Sequence, residues 1–152
     1  MTLTTNTCSS QERRLTARIK KAWSGFSRAS YPRRCDIDRV KFGNDWDLCF
    51  IVDLSDSMME SRFSYVGAGL RELGSPISDR QRISECSEEC LLKLAAKEVG
   101  KVKDLKQPVA TSGRAVHEEA EILFRAILLP LSENGVDIDG VLGAIGYREV
   151  AH

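Results

Sequence analysis

The sequence predicts an α+β fold built on an antiparallel sheet, and three observations support this prediction. Two short strand patterns come first, a longer helical pattern follows, and three further strand patterns complete the chain. Runs of strands around a helical insert are typical of an antiparallel sheet, whereas a parallel sheet alternates strands with helices. The last strands are apolar on both faces, so we expect both faces of the sheet to be covered. A chain of 152 residues, 42% of them hydrophobic, is long enough to bury one core.

An amphipathic helix is predicted to follow Ser9 and Ser10 and to run to about residue 27. Four apolar side chains recur there at helical spacing and form one face: Leu15, Ile19, Trp23 and Phe26. A free helix would leave this face in water, so it should pack on its own domain or on a second subunit. We predict these four residues as a dimer or partner interface. The chain is accordingly divided into an N-terminal helix and tail, residues 1–29, and a domain, residues 30–152.

Charge is unevenly distributed along the chain, although the formal net charge is zero. Residues 1–34 carry eight bases and one acid, Glu12, which gives this segment a charge of +7 and the remainder −7. A basic arm on an acidic body is typical of nucleic-acid or anionic-membrane binding, and also of an arm that docks on an acidic domain. The apolar stripe favours docking. Nucleic-acid or anionic-membrane binding through the basic N-terminal helix is the alternative function.

The middle of the chain combines a connector, a hairpin and a helix. Residues 29–44 are predicted as a connector, residues 47–54 as a strand, and residues 62–66 as a second strand paired with the first. A single helical turn is predicted over residues 70–73. A longer helix over residues 87–104 has serines at its start, lysines near its end and Pro108 behind it.

The last third of the chain is predicted to form three strands, over residues 109–116, 121–131 and 136–147. Asn134-Gly135 indicates a hairpin turn between the last two. Pro130 cannot donate a hydrogen bond to a neighbouring strand, so we expect its strand to end or bulge there. The helix over residues 87–104 would cover one face of the sheet, and the N-terminal helix or a second subunit the other.

Several segments of residues 30–147 together resemble a known fold family. They are Pro32-Arg33-Arg34, Asp36-Ile37-Asp38, Cys49-Phe50-Ile51-Val52-Asp53, Arg62-Phe63-Ser64-Tyr65-Val66-Gly67, Leu70, Leu73-Gly74, Leu128-Leu129-Pro130-Leu131-Ser132-Glu133-Asn134-Gly135, Val136-Asp137-Ile138-Asp139 and Leu142-Gly143-Ala144. On these residues the chain resembles PAS domains, and more narrowly the small single-PAS proteins of alphaproteobacteria. After Gly74 the chain lacks the Thr-Gly-Arg-like turn that the family usually carries.

The resemblance implies a five-stranded antiparallel sheet with helices between the second and third strands. It also implies a cytoplasmic bacterial sensory domain that acts in signal transduction by ligand binding or protein association, as a homodimer or with a signalling partner. PAS domains hold haem, flavin or small metabolites between helices and sheet. The sequence has no flavin-type Asn-Cys-Arg-Phe motif, and His117 is the only internal histidine. The cofactor is therefore unknown, and the sequence requires none.

A small apolar pocket is one possibility, and a solid core in which the same residues pack together is the other. The pocket residues would be Phe50, Val52, Tyr65 and Leu92.

The sequence favours a protein that is not an enzyme and holds no metal. It contains neither a glycine-rich phosphate loop nor a Gly-x-Ser-x-Gly elbow. Its five cysteines include no Cys-x-x-Cys pair, and its two histidines are isolated. Residues 1–10 lack the apolar region of a secretory signal, and no apolar run is long enough to span a bilayer. We therefore expect free thiols and a cytoplasmic location.

Overall fold

The computed structural model describes residues 2–26, 30–73, 80–86 and 90–150, with side chains from residue 13 onwards. The helices within these ranges are α1 Thr2–Ser24, α2 Ala68–Arg71, α3 Leu91–Ala96 and α4 Val99–Leu105. The strands are β1 Cys49–Asp53, β2 Arg62–Val66, β3 Val109–His117, β4 Ala120–Leu131 and β5 Gly140–Glu149.

The five strands form one antiparallel sheet in the order β2-β1-β5-β4-β3. The last strand of the chain is therefore the central one. Helices α2, α3 and α4 lie between β2 and β3 in the chain. This arrangement confirms the predicted α+β class and the predicted five-stranded antiparallel sheet with helices between its second and third strands.

The sheet separates two hydrophobic clusters. The inner face, which we define as the face under α3 and α4, carries side chains such as Phe50, Val52, Phe63, Phe124, Val141 and Ile145. The outer face lies under α1. Its cluster consists of Leu15, Ile19, Phe42, Cys49, Ile51, Ile127, Leu129, Leu131, Leu142 and Ala144. Both faces are thus covered, as the apolar character of the last strands predicts.

The helices differ from their predicted bounds in three places, one of which is α2, observed as Ala68–Arg71 and predicted over residues 70–73. Helix α1 begins at Thr2, earlier than predicted, and ends at Ser24, where the backbone N–H of Gly25 bonds the carbonyl of Ala22 in a tighter turn. The helix predicted over residues 87–104 is two helices, because Glu98 leaves the helical conformation. The break allows α3 to pack on β3 and α4 to pack on β4. Residues 87–89 lie outside the described residues.

The predicted start of the last strand is also wrong, because β5 begins at Gly140 rather than at residue 136. Side chains hold the intervening residues in a turn. The Asn134 amide oxygen accepts from the backbone N–H groups of Val136 and Asp137, both at 2.8 Å. Gly135 adopts a φ of +79° within this turn, as the Asn-Gly pair predicts.

Pro130 neither ends nor bulges its strand, contrary to the prediction. It pairs with Val141, and the β4–β5 register continues to Leu131 and Gly140. The register of β3 against β4 stops at Leu128. The edge of β4 at Pro130 therefore faces no strand, so the missing N–H of proline costs no hydrogen bond of the sheet.

Candidate functional site

Helix α1 lies on the outer face of the sheet of its own chain. Its contacts are with β4, β5 and the turns over Arg39–Leu48. Leu15 and Ile19 keep 4% and 1% of their surface exposed, and Trp23 and Phe26 are half-buried against the same cluster. The four residues predicted as an interface thus contact the sheet within one chain. A homodimer through these residues stays a prediction, and it would require α1 to leave this position.

Two polar contacts hold the C-terminal part of α1. The Trp23 indole nitrogen donates to the Pro130 carbonyl at 2.9 Å, which satisfies the edge of β4 that no strand covers. The Arg18 guanidinium bonds both carboxylate oxygens of Asp45, at 2.8 and 3.0 Å. These hydrogen bonds raise the pKa of Arg18 above its ordinary value. The first contact is half-buried and the second exposed, so their contributions to docking differ.

A row of aromatic rings connects the end of α1 to β2. Ring centroids are 5.7 Å apart between Phe26 and Phe42, 5.2 Å between Phe42 and Trp46, and 4.6 Å between Trp46 and Tyr65. The Tyr65 hydroxyl donates to the Trp46 carbonyl at 3.1 Å. Burial is the largest cause that raises the pKa of Tyr65, to about 12. Phe42 and Trp46 were not predicted as part of any cluster, although their spacing of four residues was an available signal.

The structure corrects the grouping of the four predicted pocket residues. Phe50, Val52 and Leu92 lie on the inner face, whereas Tyr65 lies on the outer face. The cause is a β-bulge in the β1–β2 pairing. Val52 pairs with Phe63 and Ile51 pairs with Tyr65, so Ser64 is the extra residue. A bulge reverses which face the following side chains occupy.

The inner face is filled by its own side chains at the position of the predicted pocket. The Phe50 ring lies directly over Gly143, where a Cβ atom would come within 2.2 Å of the ring. Phe63 packs on the edge of this ring, with centroids 5.9 Å apart. A flat cofactor between helices and sheet would have to displace both rings, so the described side chains do not fit one.

Haem and metal ligands are not gathered on the inner face. His117 lies at the end of β3, and its Nε2 atom is 3.9 Å from the Glu118 carboxylate. Cys86 and Cys90 are both buried and both precede α3: Cys86 follows the turn over Ile83–Glu85, and Cys90 lies directly before Leu91. Within the described residues, no three side chains of His, Cys, Asp or Glu form a group that could hold a metal ion.

The side of α1 that faces away from the sheet is basic. Its exposed residues include Arg13, Arg14, Lys20 and Lys21. A groove of about 480 Å³ lies beside the end of the helix, with Phe26 and Ala22 against its wall and Arg18, Lys21 and Lys41 around it. Docking of α1 therefore leaves its positive charge accessible. Across the part of the chain that the structure covers, no helix is long and apolar enough to cross a membrane.

Among known proteins, similarity to this chain is found in solved structures. No model of a protein family matches the chain, and no curated protein matches it. Among solved structures, the chain is similar to a fungal LOV domain photoreceptor, described in connection with a pathway that integrates blue light and oxidative stress. The identity is 16% and the TM-score 0.42, over 75% of this chain and 81% of that one.

Proposed function

We propose that this chain is a sensory or regulatory domain that acts through association, with α1 and the outer face that it covers as the contact surface. The observation that carries this proposal is the nature of the α1 contact. One helix, joined to the sheet by a connector, covers an apolar face that includes Ile51, Leu129 and Leu142. When α1 leaves, this face needs another cover, since an exposed apolar patch of this kind favours association.

The simplest such cover is α1 of a second copy. Exchange of an identical element between two protomers makes a dimer from contacts that each chain already has. Leu15, Ile19, Trp23 and Phe26 would then make the same contacts across the dimer as they make within one chain. A signalling partner that presents a similar apolar helix would use the same face.

The raised pKa values of the Cys49 and Cys86 thiols support a role without nucleophilic catalysis by these two residues. Burial raises the pKa of the Cys49 thiol, and a hydrogen bond with Cys90 together with burial raises that of Cys86. Both thiols are therefore poor nucleophiles at neutral pH. No disulfide joins Cys35, Cys49, Cys86 and Cys90, which accords with the proposed cytoplasmic location.

The test is the oligomeric state of the full chain and of its Ile19→Asp variant, measured by light scattering over a range of concentrations. We expect the wild-type chain to form a dimer as its concentration rises. The variant places a carboxylate in an apolar contact that is 1% exposed, which is strongly unfavourable. It should stay monomeric while circular dichroism shows that the sheet persists.

The matched control is Ala17→Asp, which makes the same change of charge at an exposed position of the same helix. This control should dimerise like the wild-type chain. A wild-type chain that is monomeric at every concentration, or an Ile19→Asp variant that dimerises fully, contradicts exchange of α1.

The exposed bases of α1 favour a second candidate function, binding to nucleic acid or to an anionic membrane. Arg13, Arg14, Lys20 and Lys21 face solvent while the helix is docked, so this function would not require α1 to move. Binding through them should weaken steeply as salt is added. Titration of the full chain with a DNA duplex and with vesicles containing anionic lipid, at low and moderate salt, tests it. A flat salt response or no binding at low salt contradicts it.

A further inference from the structure

A polar cleft lies at the loop end of the β1–β2 hairpin, away from α1. Its volume is about 330 Å³, at the small end of the range for ligand sites. Seven residues line it: Asp53, Leu54, Ser55, Glu60, Arg62, Arg80 and Arg82. Three of the seven are arginines, and they come from two segments that are distant in the sequence.

The backbone brings these arginines together by extending the sheet. Residues 81–83 run along the free edge of β2, where the Phe63 N–H bonds the Gln81 carbonyl at 2.9 Å and the Ile83 N–H bonds the Ser61 carbonyl at 2.9 Å. Arg62 and Arg82 are thereby paired across this edge. The arginines are thus held by a backbone ladder as well as by their own side-chain contacts.

Asp53 joins two arginines from opposite sides. One of its carboxylate oxygens accepts from Arg34 at 2.5 Å, and the other accepts from Arg80 at 3.0 Å. Arg34 also donates to the Ser64 hydroxyl at 3.0 Å, so the bulged residue of β2 takes part in this arrangement. The shared carboxylate fixes both guanidinium groups without neutralising both.

Charge remains in excess after this pairing. Arg82 pairs with Glu60 at 3.0 Å, while Arg62 donates to the Arg80 carbonyl at 2.8 Å. Three guanidinium groups thus line the cleft with two carboxylates, which leaves an excess of one positive charge, and Arg34, which pairs with Asp53 from outside the lining, adds another. Each guanidinium has five N–H donors, and the contacts above use only one or two of them. The side chains of Arg80 and Arg82 are 53% and 42% exposed, so a solute can reach them.

We propose that this cleft binds a small divalent oxyanion, carried by a phosphate group or by a dicarboxylate, through Arg62, Arg80 and Arg82. Guanidinium groups bind the two oxygens of a carboxylate or phosphate in a fork geometry, and such charge-assisted hydrogen bonds are the strong ones. The Asp53 carboxylate competes with the anion for Arg80, with which it forms an ion pair. This site is independent of the association proposed for α1.

Isothermal titration of the full chain with inorganic phosphate, with malonate and with acetate tests the ligand class. We expect binding of a divalent anion that weakens as sodium chloride is added, and acetate should bind at least tenfold more weakly. Binding of phosphate alone identifies a phosphorylated ligand, and binding of malonate alone identifies a dicarboxylate. Absence of heat and of thermal stabilisation with both divalent anions overturns the proposal.

Variants of single residues then test the site. Arg62→Gln and Arg80→Gln should each weaken binding about tenfold, since each removes one charged donor group. Asp53→Asn should strengthen binding, because it removes the competing carboxylate. Arg39→Gln makes the same change of charge at an exposed position outside the cleft, and it should leave the affinity unchanged. An equal loss in Arg39→Gln and Arg62→Gln would mean a diffuse charge effect and would overturn the site.

Discussion

The two faces of the sheet are both apolar and both covered, but they are closed in different ways. The inner face packs against α3, α4 and the turn over Ile83–Glu85, whose buried side chains belong to the same hydrophobic cluster as those of the sheet. The outer face meets α1, the turns over Arg39–Leu48 and a row of aromatic rings. The inner face is therefore covered by several elements, whereas departure of the single helix α1 would expose much of the outer face.

Two polar contacts of α1 lie on the outer face, namely the Trp23–Pro130 hydrogen bond and the Arg18–Asp45 ion pair. The chain has two tryptophans, Trp23 and Trp46, and both pack on the outer cluster. Intrinsic fluorescence thus reports on the outer face, whereas circular dichroism in the far ultraviolet reports on the whole fold.

The largest expected effect comes from adding a single methyl group to the inner face. In Gly143→Ala the new Cβ atom would lie within 2.2 Å of the Phe50 ring. Because the ring is fully buried and cannot move freely, we expect a loss of about 3 kcal/mol in the free energy of unfolding, measured by urea denaturation. The control is Gly140→Ala on the same strand, where the nearest atom is 3.4 Å from the new Cβ. Equal losses in the two variants would contradict the close contact of Phe50 with Gly143.

A smaller effect is expected from the hydrogen bond that holds α1. Trp23→Phe keeps an aromatic ring on the outer face but removes the donor to the Pro130 carbonyl. We expect a loss of about 1 kcal/mol in the free energy of unfolding, and faster hydrogen exchange of backbone amides in α1. Exchange in α3 and α4 should not change. The control is Trp46→Phe, which leaves the hydrogen bond to Pro130 in place. Faster hydrogen exchange in α3 and α4 as well as in α1 would show that the two faces do not open independently.

The ion pair of α1 should contribute still less. The side chains of Arg18 and Asp45 are 55% and 23% exposed, and pairs of this kind contribute at most about 1 kcal/mol. A double-mutant cycle of Arg18→Gln and Asp45→Asn should give a coupling energy of that size, and moderate salt should reduce it. A coupling that salt does not change would mean that the pair is buried.

The smallest expected effect concerns Tyr65, and it is visible only at alkaline pH. Burial raises the pKa of Tyr65 to about 12 from an ordinary value near 10. A raised pKa in the folded state means that folding favours the protonated phenol. The resulting contribution of Tyr65 to the free energy of unfolding is complete below pH about 10 and is lost as the pH rises to about 12. Tyr65→Phe should therefore reduce the decline in stability across this interval. An identical decline in both proteins would assign it to other groups.

The sequence predicted those features that depend on local periodicity. The bounds of β2 are as predicted, and the spacing of Leu15 and Ile19 correctly identified the buried face of α1. Asn134-Gly135 correctly indicated a turn. In each case the relevant interactions are formed by neighbours in the sequence or by one face of one element.

Features that depend on a distant partner could not be predicted in this way. The bulge at Ser64 exists only in the pairing of β2 with β1, so the sequence placed Tyr65 on the wrong face. Pro130 was expected to disturb its strand, but the pairing of β3 with β4 extends only to Leu128, so no strand lies beside Pro130 on that edge. The arginines of the polar cleft were missed for the same reason, since the alignment of residues 81–83 with β2 brings Arg80 and Arg82 to Arg62.

The bulge at Ser64 also determines which changes of length the hairpin can accept. Deleting Ser64 would leave Phe63 opposite Val52 and Tyr65 opposite Ile51 in a regular register, so each aromatic ring would keep its present face. The deletion would remove only the bulged residue and the hydroxyl that accepts a hydrogen bond from Arg34. Deleting Phe63 or Tyr65 would instead remove a ring that packs on Phe50 or on Trp46. The hairpin should therefore accept a loss of one residue at the bulge and resist the same loss at either neighbour of Ser64.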